Sequence, residues 1–407
     1  MEAVLILQET LFLDQLVYAV GALLTRKPPV EAASVLGVDT HRRFEAAKAL
    51  APEWRALEAR ACGAATAFQS CDFHLVWARH FCDEQTELRL VAVRERGRLV
   101  LVWPVAVRRT PFGRVASWAG DPVGQYGDVV AEDAPGRAAW IEAAFLEIAQ
   151  WGDVDFLNLA GVRADSAIAG WAAGRGSVLG PPTEAPALDS SPFDSAADFN
   201  GAGWPQAKRN AKRMKKLASL GDVGFEIVGP GPRAVELMGR AFAFKRHWLE
   251  ARGHYGRAFA DARVEACLME LAGDETARSG LALSHLSVGG ETAAVEIGFR
   301  HGGSHYAYMG TFSPRFAKHS PGFVVTELTI RACIEDGLGE YDPLPPADDY
   351  KLAWSNRRVA VRGYGVVLSW KGYAAYVYAA CLRPAAKTLY ARLPLKARQA
   401  LRFLRIQ

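Results

Sequence analysis

Cysteine is scarce and unpatterned. Cys62, Cys71, Cys82, Cys267, Cys333 and Cys381 are scattered over 407 residues with no Cys-x-x-Cys pair. A chain this long and half apolar can fill proper cores without a disulfide framework, so reduced thiols in a cytoplasm are expected. Gly-x-x-x-x-Gly-Lys-Ser/Thr, Gly-x-Gly-x-x-Gly, Gly-x-Ser-x-Gly and His-Glu-x-x-His are all missing. Their absence removes the commonest signs of phosphate-loop, dinucleotide, serine-hydrolase and zinc-protease chemistry. His301 and His305 flank a glycine turn but lack a third ligand, so no metal site is expected. No apolar run approaches the roughly 20 residues that cross a bilayer. Met1–Leu24 is interrupted by Glu2, Glu9 and Asp14 and lacks a basic start, so a signal peptide is not expected. Acid is missing from one end: from Tyr350 onward there are twelve Lys/Arg and no Asp/Glu. The net charge of +4 therefore joins an acidic body to a basic tail.

The most informative stretch is 281–354. Leu281–Val288 and Glu291–Phe299 read as strands about the hairpin signal Gly289-Gly290. Ala293, Val295, Ile297 and Phe299 are expected on one face, with Thr292, Ala294 and Glu296 on the other. A turn at His301-Gly302-Gly303 leads to an aromatic strand, Ser304–Thr311. A helix then opens at Ser320-Pro321-Gly322, with Ser320 as cap and Pro321 in the first turn. Phe323, Ile330 and Ile334 give it an inward stripe, and Gly337 can end it. Glu340–Leu344 is a short strand, and Tyr350-Lys351-x-x-Trp354 follows.

The free N–H groups of such a helix start, beside Arg315, Lys318 and His319, suit a phosphate-like group, and Gly322 lets the backbone come close. A plain helix cap is the competing reading. The order of Tyr306-Ala-Tyr308, Ser320-Pro321-Gly322, Tyr341-Asp342 and Tyr350-Lys351-x-x-Trp354 resembles the acyl-CoA N-acyltransferases of the GNAT superfamily. Within it, the pattern is similar to the CelD-like polysaccharide-associated acetyltransferases, related to the Fem-type peptidyltransferases. The resemblance is best over 200–370 and fainter over 45–180. The arginine/glutamine- and glycine-rich form of the GNAT pyrophosphate loop is not present.

What the resemblance implies is an α/β protein of two tandem GNAT-like domains, with mixed, largely antiparallel sheets flanked by helices. The expected divisions are an N-terminal extension (1–44), a degenerate domain (45–180), a linker (181–207), a catalytic acyl-CoA domain (208–370) and a basic amphipathic tail (371–407). Residues 1–40 suggest a short helix broken at Pro28-Pro29, and 161–200 reads as small and irregular. Leu88–Val93 and Leu99–Val107 form a hairpin, and Ala138–Trp151 and Asp155–Leu159 a helix and a strand. This is a fainter copy of 281–342 without the anion-binding helix start. Lys208 to Lys216 holds six basic residues in nine. That run is either a solvated helix or one facing an anionic substrate; no aromatic residues nearby point to nucleic acid, and DNA is not expected as a partner.

Acyl transfer to an amine needs an anchored donor, a deprotonated amine and stabilised negative charge. Glu296 is a candidate base if its strand face is buried and paired, and an ordinary surface residue if that face is exposed. Tyr308, with Tyr306 on its face, can protonate a leaving thiolate or simply fill the core. Asp342 is another candidate base, while Asp348 and Asp349 read as loop residues or caps. The Fem resemblance gives Lys351 a role in holding transition-state charge. Arg315, Lys318, His319, Ser320 and Gly322 are the candidate acyl-CoA contacts. Gln125, Tyr126, Asp128 and Tyr350 are candidate acceptor contacts. The acceptor that the resemblance implies is an amino sugar of an exopolysaccharide or cell-envelope precursor, lipid-linked in one form. The rivals are aminoacyl-tRNA as donor and a non-catalytic effector on the same scaffold. In the tail, basic residues alternate with Tyr376, Tyr378, Leu389, Tyr390 and Phe403. It reads as a helix on an anionic membrane, a helix docked on the body, or a holder of an anionic regulator such as a dinucleotide second messenger.

Overall fold

The computed structural model describes residues 36–61, 67–252 and 261–393. The expectations for 1–35, for Cys62 and for the tail beyond residue 393 fall outside these ranges. The first half of the chain runs β1 (Leu36–Arg42), α1 (Phe44–Glu58), α2 (Cys71–Phe81), β2 (Thr86–Glu95), β3 (Arg98–Thr110), β4 (Gly113–Trp118), β5 (Val130–Ala131), α3 (Arg137–Gln150), β6 (Phe156–Arg163), α4 (Ala169–Arg175) and β7 (Ser177–Asp189). The second runs α5 (Ala196–Gly201), α6 (Pro205–Ala218), β8 (Val223–Val228), α7 (Pro232–Arg252), α8 (Ala262–Gly273), β9 (Leu281–Val288), β10 (Glu291–His301) and β11 (Ser304–Phe312). It continues with α9 (Pro321–Glu335), β12 (Glu340–Asp342), α10 (Asp349–Leu352), β13 (Arg357–Val367), α11 (Gly372–Val377) and α12 (Arg383–Arg392).

Hydrophobic patterning explains most of these elements. Gly289 and Gly290, both at positive φ, turn β9 into β10, as their lack of a Cβ allows. The two halves share one plan: an antiparallel meander, a helix, then a strand returning parallel to the last. Thus Val115–Ser117 of β4 pair with Phe156–Asn158 of β6, and Ser304–Tyr306 of β11 pair with Glu340–Asp342 of β12. Strands β2 to β4 with α3 correspond in this way to β9 to β11 with α9.

The halves do not keep separate sheets. A single mixed sheet runs β1-β2-β3-β4-β6-β13-β7-β12-β11-β10-β9-β8, with β5 beside β3. Strand β13, from the second half, lies between β6 and β7 of the first, and β7 also pairs with β12. The segment expected to be irregular therefore contains helix α4 and the long strand β7. Its alternation is hidden by Gly180, Pro181, Pro182 and Pro186, yet its neighbours supply pairing on both sides. A core spanning both halves, with Phe68, Phe73, Trp77, Leu237, Leu268, Ile297 and Phe299, packs under the sheet. A second core under the first half gathers Trp103, Trp140, Phe145 and Leu159.

Three local expectations change. Ser320 precedes α9 at φ 52, in the left-handed region, and its side chain makes no capping bond. The stripe on α9 is broader than expected and polar in part: Thr326, Glu327 and Thr329 are buried along with Ile330 and Ile334, while Phe323 is half-buried. A register shift between Thr292 and Ala294 sends Ala293 to the same cluster as Ala294, so the simple alternation of β10 fails there.

Candidate functional site

The first feature of the site is a strand edge. Strand β12 covers β11 only at Ser304–Tyr306, and β11 runs on to Phe312. Among the described residues no strand pairs with Ala307–Phe312 on that side, so their backbone groups there have no ladder partner. Where β11 meets β10 the register shifts between Ile297 and Gly298, which leaves Tyr308 as the extra residue of a bulge. Beyond the edge, a 3₁₀ turn (Pro314–His319) delivers the chain to the N-terminus of α9.

Helix α6 lies against that start. Asn210 is buried and donates to the Phe323 carbonyl at 2.7 Å, and Arg213 sits over the Phe323 ring at 4.2 Å. Lys208, Arg209, Lys212, Lys215 and Lys216 are exposed along α6, and Arg213 is half-buried. Arg213 bonds only neutral oxygens, of Asn210 at 2.5 Å and Gln206 at 3.4 Å. Among the described residues it has no ion-pair partner, and burial with nearby Arg209 pulls its pKa down. A half-buried guanidinium with no directly paired carboxylate, Glu327 being a more distant opposing charge, beside a helix N-terminus favours an anion. Arg315, in contrast, is exposed and paired with Glu291. Lys318 is exposed, and His319 is half-buried with its Nδ1 unpartnered. At Gly322 an added Cβ would lie 3.5 Å from the Phe312 ring, an ordinary contact.

Glu296 is 3% exposed, which removes the reading of a solvated strand face. Its Oε2 accepts from Thr326 Oγ1 and from the Tyr341 hydroxyl, both at 3.0 Å. Thr326 Oγ1 in turn lies 2.5 Å from the Tyr350 hydroxyl. Since Thr326 gives its proton to Glu296, Tyr350 donates to Thr326. The result is a directional chain, Tyr350 to Thr326 to Glu296, running from a half-buried phenol to a buried carboxylate. Glu296 Oε1 stands 3.4 Å from His305 Nε2, and neither has a hydrogen-bond partner among the described residues. His305 is fully buried and stacked on Tyr341, centroids 5.5 Å apart. Burial first, then the Glu296 charge, raises the pKa values of Tyr341 and Tyr350, so both phenols keep their protons.

On the loop between β12 and β13, Asp348 caps α10 by accepting from the Lys351 amide at 3.0 Å. Lys351 Nζ donates to the Leu344 carbonyl at 2.8 Å. Burial lowers the Lys351 pKa against the pull of Asp348 and Asp342, and Lys245 on α7 is lowered by burial and by Lys351. Two half-buried lysines thus share one neighbourhood. Leu344 is at φ 62, a costly conformation for a branched side chain. Its amide donates to Asp342 at 2.7 Å, so both of its backbone groups are held. Trp354 is buried against Phe199 and Trp204, anchoring the end of the loop.

Asp342 is fully buried between the halves. It accepts from the Tyr126 hydroxyl at 2.9 Å and pairs with Arg163, which also holds Asp165 at 2.9 Å and Glu340 at 3.2 Å. Burial lifts its pKa to about 6 even with Arg163 alongside. These contacts make Asp342 and Tyr126 a clasp between the halves. Asp128 is likewise spent, accepting from the amides of Val129, Ala167 and Ile168 at 2.8–3.0 Å. Gln125 bonds the Val123 carbonyl and is a hydrogen-bonding neighbour of Tyr308. Tyr308 belongs to an aromatic cluster with Phe68 and Phe299, and burial raises its pKa.

The structure therefore brings Glu296 and Tyr350 together, and Lys351 near Asp342. Asp128 is spent within the first half, and the Tyr126–Asp342 pair joins the two halves. Tyr341 entered the sequence reading only as part of a motif and His305 only as a rejected metal ligand, while Thr326, Lys245 and Arg213 are members that it did not single out. Arg213 stood inside the basic run; the others carry no local signal, because tertiary packing alone makes them neighbours. Among the described residues no cluster of three His, Cys, Asp or Glu side chains is placed to hold a metal ion.

Residues 206–352 match the family model of the acetyltransferase (GNAT) domain. The matched GNAT stretch contains the strand edge, the α9 start, the Glu296 chain and Lys351. No curated protein matches the chain. Among solved structures, the crystal structure of FemX aligns with a TM-score of 0.56 at 10% identity, over 81% of this chain and 97% of FemX. The C-terminal domain of a protein described as a lysylphosphatidylglycerol synthetase from Agrobacterium fabrum aligns at 0.50 and 11% identity, over 82% and 98%. A tandem GNAT protein from the clavulanic acid biosynthesis pathway aligns at 0.44 and 14% identity, over 82% and 99%. At these identities the likeness is one of fold: a GNAT acyltransferase fold, in a chain whose best-matched stretch is its second half.

Proposed function

We propose that the chain is an N-acyltransferase that moves an acyl group, acetyl in the simplest case, from acyl-CoA to an amine. The carrying observation is the Tyr350–Thr326–Glu296 chain beside a bare strand edge and a cation-flanked helix start. The uncovered groups of β11 can pair with the amides of an extended donor arm, as an added strand would. The α9 start, Arg213 and the cations of α6 take its phosphates. The attacking amine gives its proton to the Tyr350 oxygen as the Tyr350 proton moves to Thr326 and the Thr326 proton to Glu296. The new N–C bond forms and the C–S bond breaks; Tyr308, kept protonated by burial, gives a proton to the leaving thiolate, and exchange with solvent after product release takes the proton from Glu296 and restores the one on Tyr308. Lys351 offsets the negative charge on the carbonyl oxygen in between.

The acceptor class, an amino sugar of an envelope or exopolysaccharide precursor, and the CelD-like branch are part of this proposal and rest on the sequence resemblance. A second reading has one observation in its favour. Five exposed cations on α6 exceed what a single pyrophosphate needs, and they suit the longer polyanion of an aminoacyl-tRNA donor. Calorimetry of the full chain with acetyl-CoA and with tRNA separates the two. Binding of acetyl-CoA that is lost in Arg213→Gln supports the first; binding of tRNA alone replaces it with the second.

A further inference from the structure

From Gly372 to Arg392 the chain is helical throughout, α11 passing through a short π segment (Tyr378–Leu382) into α12. One side of this rod is fixed to the first half. A Cβ on Gly372 would fall 1.9 Å from the Asp155 carbonyl oxygen, and Ala375 is buried. Tyr376 meets Phe156, and Tyr378 stacks on Phe112 at 4.7 Å. Just before it, the Leu368 and Ser369 amides both donate to the Asp155 carbonyl. The rod is a docked element on that side.

Its other side is apolar and bare. Trp370 is 79% exposed, Leu389 66% and Leu382 54%, with Tyr373 and Val377 also exposed. Trp370, Tyr373, Val377, Cys381, Ala385 and Leu389 follow one another at intervals of three or four residues, and all are exposed. No charge interrupts this row. A contiguous apolar stripe on an otherwise covered body marks an interaction surface. Exposed Lys371 and Arg392 stand at its ends. From Lys371 to Gln407 the sequence has eight Lys/Arg and no Asp/Glu.

We propose that the outer face of 370–392 is a docking surface for an anionic lipid leaflet. The apolar row would enter the acyl boundary and the cations would meet the head groups. Charge decides between occupants. Pairing this face with a second copy would bring two segments rich in Lys/Arg and free of Asp/Glu together, whereas a leaflet supplies the opposite sign. A free polyanion would use the cations but give Trp370 and Leu389 nothing to contact. Peripheral docking is the mode that fits, since among the described residues no helix is long and apolar enough to cross a membrane.

The test is flotation of the full chain with vesicles of phosphatidylcholine alone and of phosphatidylcholine mixed with phosphatidylglycerol. The expected result is binding to the mixed vesicles at low salt, weakened at high salt. Trp370→Ser with Leu389→Ser should lower the partition at least roughly tenfold, with far-UV circular dichroism and thermal unfolding unchanged. Leu389→Glu alone provides a second, milder change with the same expected direction. The proposal is overturned if the full chain ignores the mixed vesicles at low salt, or if both stripe variants float as well as the parent. It is also overturned if sedimentation shows a dimer that the stripe variants dissociate, which would give the face to a second copy.

Discussion

Replacing Glu296 by Gln separates catalysis from packing more sharply than any other change at the site. The side chains are isosteric, and the amide oxygen can still accept from Thr326 and Tyr341 at 3.0 Å. Each of those bonds weakens when its acceptor loses charge, by about 1 kcal/mol, so the loss is about 2 kcal/mol. Against this, a carboxylate that is 3% exposed no longer has to be kept from water, a gain of similar size or larger. Stability should therefore move little in either direction. Catalysis should not be spared, because a base that accepts the amine's proton contributes on the order of 10²- to 10⁴-fold. Thr326→Val cuts the same chain one link earlier, keeping shape while removing the hydroxyl between Tyr350 and Glu296. If protons travel this way, Thr326→Val reproduces much of the Glu296→Gln defect, and the double variant is little worse than either. The assay is amine-dependent thiol release from acetyl-CoA across a panel of amino sugars, with urea unfolding in parallel. Turnover by Glu296→Gln within about twofold of the parent would refute the reasoning, since the effect expected of a base is far larger. Independent, additive losses would refute the relay while leaving the base.

The other expectations use the same assays. Lys351→Met keeps the stem and removes the charge, so turnover should fall roughly tenfold or more while acetyl-CoA affinity, read by calorimetry, barely changes; near-parental turnover makes Lys351 a brace for the Leu344 carbonyl alone. Because burial lowers the Lys351 pKa, its contribution should fade as pH rises through a value below the ordinary lysine range, and the pH profile of the parent minus that of Lys351→Met shows it. Gly322→Val should weaken acetyl-CoA binding roughly tenfold by filling the space before the α9 amides; unchanged affinity places the donor elsewhere, and the ordinary contact distance at Phe312 predicts intact folding. Asp342 has a folded pKa of about 6 against an ordinary 3.8, so the stability it supports is full below pH 3.8 and is lost as pH rises through 6. The difference is about 3 kcal/mol, and urea unfolding of Asp342→Asn should show that part of the pH slope removed; an identical slope in parent and variant contradicts the assignment.

Much of the second half was legible because its signals are local. Gly289-Gly290 announces a hairpin, aromatic residues mark β11, and Pro321 opens α9; each strand and helix there lies within a few residues of its expected bounds. The position of the α9 start was legible too, since Ser-Pro-Gly is a contiguous pattern. What was hidden is pairing at long range. Nothing local says that Ser177–Asp189, rich in proline and small residues, is a strand holding β12 on one edge and β13 on the other. Nor does a buried threonine on α9 advertise that it joins Glu296 on β10 to Tyr350 on the loop after β12. Asp128 and Tyr126 were legible as polar residues in a glycine-broken run. Their use was not: one closes a turn with three backbone amides, and the other reaches Asp342 across 216 residues of chain.

That long-range pairing gives the first half a purpose apart from its own copy of the motif. In that copy the start of the corresponding helix is crowded by its own next turn, the Trp140 ring lying 2.8 Å from where a Cβ on Gly136 would stand. What the first half supplies instead is rigidity. The loop that carries Tyr350 and Lys351 leaves the sheet at β12 and re-enters it at β13, and both strands are paired to β7. At its start, Asp342 is gripped by Tyr126 and Arg163 from the first half; at its end, Trp354 is packed on Phe199 and Trp204. Between these anchors the backbone holds Leu344 at positive φ, a conformation that survives only because Asp342 and Lys351 bond its amide and carbonyl. A catalytic group displaced by 1 Å forfeits much of its effect. The fused sheet and the Asp342 clasp act on that displacement: they turn a fourteen-residue excursion between two strands into a fixed mount for the phenol and the ammonium.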